Sequence, residues 1–317
     1  MLPCVSIKTT ETKRLNSISS GFKKLSKTNP GTVTRSLSFL CWNARSLNNK
    51  TDGTMIFMAN NNIDIAFVTE TWLSDRNNVT TSAIKAHGFD IIHSFRTDQR
   101  GGGTAIIFRV VHRVSPVNLD VPAPTVCFSY SAASFISVNS EKLLLLCLYR
   151  TGPVSKSFFD EFNTVLSSAM LVSDRIVIAG DFNIHVEKST DPHVTRLLEI
   201  AESFGFSQLV KSPTHIGGGC IDLIFDNSQF VDKKSVKTYP AYVASDHFPV
   251  TFNSSPISIK TKMTKEIAYR DYKDPAVMDD ICTNLKTCVP ELTLCSTFQD
   301  SVSTFFNCCT FSSFQLN

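Results

Sequence analysis

Residues 176–186 have the sequence IVIAGDFNIHV, in which an apolar run is followed by two polar side chains. A strand that is simply buried has no structural need for such side chains. Asp181 and Asn183 stand on either side of Phe182, directly after a glycine. Because successive side chains of a strand point to opposite faces, Asp181 and Asn183 are expected to point into the same pocket. The pairing of a carboxylate with a carboxamide therefore predicts a chemical site at the end of this strand.

Other polar side chains occupy comparable places at the ends of apolar strands, where the loops of layered α/β folds converge and sites are built. Taken singly, a polar residue there is more simply a turn or rim residue. Because polar residues recur at several strand ends, it is improbable that all of them are turn or rim residues. The set comprises Asn43 after SFLCW, Glu70 after IDIAFVT, Tyr149 after LLLLCL, Asp222 inside CIDLIF, and Asp246 with His247 before FPVTF.

The elements that must position these residues are short apolar runs, typical of strands, and two amphipathic helices. One helix is predicted at 155–171, with its phenylalanines on one face, and a second at 191–205, with Asp191 as N-cap. Many strands with few helices indicate two sheets packed face to face with helices outside. The predicted strands are 38–43, 63–70, 88–94, 103–108, 133–139, 142–149, 175–182, 220–225 and 248–252.

Composition divides the chain into a central domain and two tails. Residues 1–37 carry seven Lys or Arg against one acidic residue and show no sustained periodicity, which predicts a disordered basic arm. Residues 38–253 hold every predicted strand. After residue 254 the apolar strands stop, so 254–317 is interpreted as a linker or a truncated C-terminal segment.

Bulk properties exclude some classes of protein. A hydrophobic content of 42% is that of a globular protein, and no apolar run approaches the roughly 18–20 residues of a membrane span. The N-terminus does not have the pattern of a secretory signal, so the ten cysteines are expected to be reduced thiols. Net charge is only +3, so any nucleic-acid binding must depend on locally placed residues and a metal.

The chain contains, in this order, the motifs WNARSL, TETWL, RGGGTAI, LYR, GDFNIH, SPTH followed by CIDLIF, and SDHFPV. These motifs and their order resemble the endonuclease/exonuclease/phosphatase superfamily, which includes apurinic/apyrimidinic endonucleases and DNases. In their details they are similar to the endonuclease domain of non-LTR (long interspersed) retrotransposons. The resemblance implies a four-layer α/β sandwich of two packed mixed β-sheets flanked by helices.

The resemblance also implies a metal. Glu70 is expected to be the main ligand of Mg²⁺, with Mn²⁺ as the alternative, because such hard cations prefer oxygen ligands. Asn43 is expected to assist at the metal, and Asp246 to approach it. Arg45 stands where the apurinic/apyrimidinic enzymes have an acidic residue, which leaves the number of acidic ligands open.

The remaining catalytic roles follow from the same resemblance and from the need to neutralise a phosphodiester and orient its nucleophile. Asp181 is expected to position or deprotonate the attacking water, and Asn183 to hydrogen-bond Asp181 or a phosphate oxygen. Tyr149 is expected to donate to the scissile phosphate or to stabilise the nucleophile. His247 would meet the phosphate while Asp222 holds its imidazole.

Three further residues are weaker candidates for substrate binding. Arg45 and Arg100 are placed to approach phosphates, although the glycines at 101–103 are equally typical of a hairpin turn. Thr214 is expected to bind a phosphate oxygen or to cap a turn. The other histidines, His215 among them, are interpreted as surface or core residues because no spacing pairs them as ligands.

The favoured function is a metal-dependent endonuclease that nicks DNA and exposes a 3′-hydroxyl to prime reverse transcription. Alternatives are a phosphomonoesterase, a lipid or inositol phosphate phosphodiesterase on the same scaffold, or an inactive nucleic-acid-binding remnant. The stretch THIGGGCIDLIF argues against the inositol phosphatases, whose corresponding stretch resembles PAWCDR. The expected partner is DNA, with no membrane and no obligate protein partner. The protein is expected to be monomeric and intracellular, nuclear or cytoplasmic.

Overall fold

The computed structural model describes residues 22–74, 78–94, 101–137, 139–240 and 245–270, and the single residues 275, 279 and 283. Its four helices within these ranges are α1 (Thr51–Asn60), α2 (Asn78–Ala86), α3 (Lys156–Val172) and α4 (Pro192–Ser203). Its strands there are β1 (Phe22–Arg35), β2 (Ser38–Asn43), β3 (Ile65–Thr69), β4 (Phe89–Ser94), β5 (Thr104–Arg109), β6 (Val114–Pro116), β7 (Phe128–Ile136), β8 (Lys142–Arg150), β9 (Ile176–Asp181), β10 (Ser207–Gln208), β11 (Asp222–Asp226), β12 (Val231–Thr238), β13 (Val250–Ser254) and β14 (Ile257–Arg270).

Two six-stranded mixed sheets form the centre of the fold. The first has the strand order β12-β13-β2-β3-β5-β4 and the second has the order β10-β11-β9-β8-β7-β6. Each contains one parallel pair, β2 with β3 and β8 with β9, while its other pairs are antiparallel. Since parallel strands end at the same edge of a sheet, each pair delivers two strand ends to one place.

The sheets pack through their apolar faces, and helices cover their outer sides. One core cluster joins Phe39 and Phe67 of the first sheet to Leu146 and Ile178 of the second. A second cluster packs the other face of the first sheet against α1 and α2, and α3 and α4 pack on the second sheet. This α/β sandwich confirms the predicted fold class.

The two predicted helices form, and Asp191 is the N-cap of the second as predicted. The Ser155 side chain accepts a hydrogen bond from the Phe158 amide at the start of α3, and the Asp191 side chain accepts one from the His193 amide at the start of α4. Each cap satisfies a backbone N–H that has no partner within its helix. The phenylalanines of α3 are buried as its periodicity predicts.

The ends of the central domain differ from the sequence-based boundaries. Residues 31–261 form one compact unit, longer than the predicted 38–253, because Leu37 and Ile257 belong to the hydrophobic core. The described residues 22–30 and 262–270 belong to the other unit. Strands β1 and β14 pair as a two-stranded sheet, so residues 22–35 are a strand where the sequence predicts a disordered arm; residues 1–21 lie outside the described part.

No helix within the described residues is long and apolar enough to cross a membrane.

A buried carboxylate that sequence reasoning did not single out lies beside the core. Asp64 accepts hydrogen bonds from Arg35 Nη1 and Nη2 at 2.7 and 2.6 Å and from the Ser38 amide at 3.0 Å, and its Oδ1 lies 2.9 Å from His112 Nε2. Burial raises the pKa of Asp64, but the hydrogen bonds from Arg35 and His112 outweigh it and hold the pKa well below its ordinary value. Asp64 therefore stabilises the fold in its charged form.

Replacing Asp64 with asparagine is expected to lower the free energy of unfolding by on the order of 3 kcal/mol, the scale of a broken buried ion pair. Because folding depresses this pKa, the stabilisation is fully present above the unfolded pKa of about 3.9 and is lost as pH falls through the folded pKa. Urea titrations of both proteins at several pH values measure the difference. Asp90→Asn, which removes a surface ion pair with Lys85, is the control and should cost less than about 1 kcal/mol.

An equal loss in Asp64→Asn and Asp90→Asn would contradict a stabilising role for the buried carboxylate. So would a loss at neutral pH that stays undiminished in strong acid.

Candidate active site

The two parallel strand pairs bring the predicted site residues together. In the first sheet Asn43 pairs with Thr69, so the next residue, Glu70, follows directly at the strand end. In the second sheet Tyr149 pairs with Asp181. The two edges face each other across the sandwich, as the contacts between their side chains demonstrate.

Asn43 joins the two sheets at this edge. Its Nδ2 donates to Glu70 Oε1 at 3.0 Å and to Asp181 Oδ2 at 2.9 Å, while the Tyr149 hydroxyl donates to Glu70 Oε1 at 2.9 Å. Asn43 and Asp181 are fully buried. The four residues form one hydrogen-bonded network, in which two carboxylates lie on either side of a single amide.

Asn183 supports Asp181, although by a different geometry from the one predicted. Strand β9 ends at Asp181, and Asn183 lies beyond it with a left-handed φ of 49°, so strand alternation does not place its side chain. Its amide donates to Asp181 Oδ1 at 2.8 Å and its Nδ2 donates to Asp181 Oδ2 at 3.2 Å. The turn itself brings Asn183 onto the carboxylate.

Asp222 and His247 form a second buried pair beside Asp181. Asp222 lies opposite Asp181 in the antiparallel pair of β11 and β9, and its Oδ2 lies 2.8 Å from His247 Nδ1. Burial raises the pKa of Asp181, and the charge of Asp222 raises it further, against the opposing effects of His247 and Asn43. Burial lowers the pKa of His247, but the hydrogen bond and charge of Asp222, with Asp181 and Asp246, raise it to about 9. His247 is therefore an imidazolium at neutral pH.

The rim of the site contains Asp246 and two basic groups. Arg45 Nη1 lies 2.8 Å from Asp246 Oδ2, so the described contact of the Arg45 side chain is an ion pair at the site. His215 Nε2 lies 3.4 Å from the same oxygen, and the His215 and His247 rings are 4.9 Å apart. Sequence reasoning set His215 aside as a surface or core residue, because no sequence spacing pairs it with another ligand.

Of the other two candidates for substrate binding, the structure describes Thr214 but not Arg100. Thr214 is fully buried, and its hydroxyl accepts hydrogen bonds from the Ile221 and Asp222 amides, both at 3.0 Å. These contacts make Thr214 a support for Asp222, and phosphate binding by Thr214 stays a prediction. Arg100 lies outside the described residues.

Two supporting residues were missed from the sequence. Arg150 is buried and donates to the Phe182 carbonyl and, at 2.7 Å, to the Asn183 carbonyl, so it fixes the turn after Asp181. The Ser245 hydroxyl donates to the Asn43 carbonyl at 2.7 Å and links the SDH motif to β2. The only sequence signals were the places of Arg150 directly after Tyr149 and of Ser245 before Asp246.

The backbone around the site is unusual in conformation. Non-glycine residues with left-handed φ values cluster in the strand-end segments, and such residues typically cost about 1–3 kcal/mol each unless their surroundings hold them. Gly180 has a φ of 154°, and a Cβ there would lie 1.9 Å from the Leu148 carbonyl oxygen, so only glycine fits before Asp181. The non-glycine residues around the site with left-handed φ values are Arg45, Ser46, Glu70, Trp72 and Asn183.

Carboxylates at the site have the chemistry that a hard divalent cation prefers. Glu70 and Asp246 supply carboxylates, and the buried Asp246 Oδ1 has no hydrogen-bond partner among the described residues. His247 is a poor ligand because its Nδ1 is engaged by Asp222 and its ring carries a proton at neutral pH. Asn43 directs its amide nitrogen at two carboxylates, so its described contacts orient Glu70, and a ligand role for Asn43 stays a prediction.

A wide groove opens from this site. It has a volume of about 1290 Å³ and is lined at one end by Glu70 and Tyr149 and further along by Trp72, Asn118 and Tyr130. Small-molecule pockets are typically roughly 300–1,000 Å³. The groove is therefore large enough for an extended substrate.

A sandwich of two mixed sheets with carboxylates, an amide, a tyrosine and an Asp–His pair at one edge defines a phosphoesterase class of hydrolase. Residues 40–247 match the model of the Endonuclease/Exonuclease/phosphatase family, and the chain belongs to that family. This confirms the resemblance seen in the motifs. Members of this family hydrolyse phosphate esters and generally use divalent metals.

Solved structures share this fold. The endonuclease domain of TRAS1, a telomere-specific non-LTR retrotransposon, is 16% identical, with a TM-score of 0.54 over 69% of this chain and 98% of that one. The 3′ phosphatase NExo from Neisseria, bound to a product DNA hairpin, is 18% identical, with a TM-score of 0.52 over 69% and 99%. The human Nocturnin catalytic domain with a bound sulfate is 10% identical, with a TM-score of 0.51 over 72% and 97%. A comparison with curated proteins gave no match.

Proposed function

We propose that the protein is a divalent-metal-dependent endonuclease that nicks DNA and leaves a 3′-hydroxyl, as retrotransposon endonucleases do to prime reverse transcription. The observation that carries the proposal is the network in which Asn43 holds Glu70 and Asp181 together beside the Asp222–His247 pair. In the proposed roles, Asp181 is the buried base, His247 is the imidazolium that would bind a phosphate oxygen, and Glu70 would supply oxygens to the metal.

Glu70 and Asp246 would hold the cation, with Asn43 fixing the carboxylate of Glu70. A bound Mg²⁺ or Mn²⁺ would supply positive charge to the phosphate oxygens. The Tyr149 hydroxyl donates its one proton to Glu70 and would exchange this hydrogen bond for one to the phosphate when substrate binds.

Asp181 is the group that orients and deprotonates water. Its raised pKa makes it a better base than an ordinary aspartate, and a general base works best when its pKa is near the operating pH. Asn43 and Asn183 fix both of its oxygens. His247, charged and held by Asp222, would bind a phosphate oxygen and stabilise the charge that grows in the transition state.

Three features favour DNA over a small phosphate ester. The groove beside Glu70 exceeds the size of a small-molecule pocket. The TRAS1 domain is named as an endonuclease, and the Neisseria enzyme is named with its product DNA hairpin. The alternative, a phosphomonoesterase, rests on that same enzyme, which is named a 3′ phosphatase.

A substrate panel separates these functions. The full chain with Mg²⁺ is incubated with supercoiled plasmid, with an oligonucleotide bearing a 3′-phosphate, and with an inositol polyphosphate. The proposal expects relaxed plasmid whose nicks a polymerase extends without further treatment. Phosphate release from the oligonucleotide or the inositol phosphate, with intact plasmid, would contradict it.

Glu70→Gln is expected to lower nicking by about a hundredfold or more, because glutamine keeps the shape of the side chain and removes the charge that binds the cation. Its Mg²⁺ affinity, measured by calorimetry without DNA, should fall as well. Glu141→Gln, at an exposed ion pair with Arg175, is the control and should change neither quantity. Unaltered Mg²⁺ affinity in Glu70→Gln would remove Glu70 as the principal ligand.

A further inference from the structure

Trp72 has a position that catalysis does not explain. It lies two residues after Glu70, its side chain is 38% exposed, and its φ of 53° is rare for a bulky residue. Trp42, the other tryptophan of the chain, is buried. An exposed indole in a strained backbone next to a catalytic carboxylate suggests a functional constraint, since strain of this kind concentrates at functional sites.

The triple glycine holds this tryptophan in place. The Trp72 amide donates to the Gly102 carbonyl at 2.9 Å, and a Cβ added at Gly101 would lie 3.4 Å from the indole nitrogen. The Trp72 carbonyl accepts a hydrogen bond from Asn48 Nδ2 at 3.2 Å. Residues 101–103 all have positive φ values, which explains their composition. The TETWL and RGGG motifs therefore form one unit that fixes the indole.

The described lining of the groove along which Trp72 lies is partly polar and partly apolar. It offers aromatic, apolar and small polar side chains such as Tyr130, Val117 and Asn118. Surfaces that bind single-stranded nucleic acids combine basic groups, which contact phosphates, with aromatic faces on which bases stack. The aromatic side chains of the described lining can supply the second kind of contact.

We propose that Trp72 is a stacking platform for an unpaired nucleobase of the DNA strand whose phosphate lies at Glu70. This rests on the proposed function and specifies its substrate: DNA in which the base beside the cut is single-stranded or displaced from the helix. Continuity supports the assignment, because Glu70, Tyr149 and Trp72 line the same groove. A base paired and stacked within a duplex presents no free face to the indole.

Tryptophan fluorescence tests the stacking directly. The full chain in EDTA, which prevents cleavage, is titrated with a short oligothymidylate, with the same strand in a perfect duplex, and with a strand of equal length whose sugars carry no bases. Trp72→Phe leaves Trp42 as the single indole, so the fluorescence change of Trp42 on adding DNA is measured separately with this variant. Thermal denaturation confirms that each variant is folded.

The expected result is quenching of Trp72 by oligothymidylate, weaker quenching by the duplex, and none by the strand without bases. Trp72→Ala should weaken oligothymidylate binding roughly 5- to 150-fold, the scale of one lost stacking contact. Trp72→Phe should retain most of the affinity. Val111→Ala, which truncates an exposed apolar side chain that does not line the groove, should bind as the unaltered chain does.

Equal quenching by the strands with and without bases, or unaltered binding by folded Trp72→Ala, would overturn the stacking proposal. If the same protein still nicks plasmid, the proposed function stands while this inference falls. If Trp72 is quenched as expected but no DNA is cleaved with Mg²⁺, the inference stands and the proposed function falls. Absence of binding to every DNA form would overturn both.

Discussion

Asp181→Asn is expected to lower the rate of DNA nicking by about a thousandfold, within the range for a positioned base. Asparagine keeps the size of the side chain but cannot accept the proton of the attacking water. Asp181 is fully buried, and Asn43 and Asn183 donate hydrogen bonds to its two oxygens, so the carboxylate is held in one position. Single-turnover nicking, corrected for the folded fraction, measures the loss, and DNA affinity should stay within a few-fold.

Asp226→Asn is the matched control, because Asp226 is a buried aspartate at the other end of β11. It accepts hydrogen bonds from the Ser228 and Val231 amides, so its loss should lower stability and leave the rate per folded molecule unaltered. Equal effects of Asp181→Asn and Asp226→Asn on the rate would contradict a catalytic role for Asp181.

His247→Ala, which removes the imidazole, is expected to lower the rate of DNA nicking by about a hundredfold or more. Asp222→Asn should lose much of the same rate, because the carboxylate both orients the ring at 2.8 Å and raises its pKa. The double variant should be little worse than His247→Ala alone, since residues that act as a unit give non-additive losses. Nicking rates per folded molecule for both single variants and the double variant complete the cycle.

Two outcomes would contradict this assignment. Unaltered turnover in folded His247→Ala would mean that the imidazole only supports the start of β13. Additive losses would mean that Asp222 acts independently of His247, although the two are in contact.

Much of the fold was predictable from the sequence because its strands are continuous apolar runs and its longer helices are amphipathic and capped. α1 was missed because Met55, Ile56, Phe57 and Met58 are consecutive and do not mark one helical face; Ile56 is half exposed. The β1–β14 pairing was missed because both strands are rich in lysine, serine and threonine. Elements of this kind form because of contacts between segments that are distant in the sequence.

The centre of the site was predictable for a related reason. Polar residues at the ends of apolar strands must converge when two of those strands are parallel neighbours, as Asn43 and Tyr149 demonstrate. His215, Arg150 and Asp64 were not predictable, because their partners lie far away in the sequence. Their local surroundings resemble those of ordinary loop or strand residues.

The most direct measurement is nicking of supercoiled plasmid by the full chain and by Asp181→Asn, purified in parallel and incubated with Mg²⁺ or with EDTA. The account predicts open circles with extendable 3′-hydroxyls from the unaltered chain in Mg²⁺ only, and a rate about a thousandfold lower from the variant. Intact plasmid with the unaltered chain, or equal nicking by the two proteins, would contradict it.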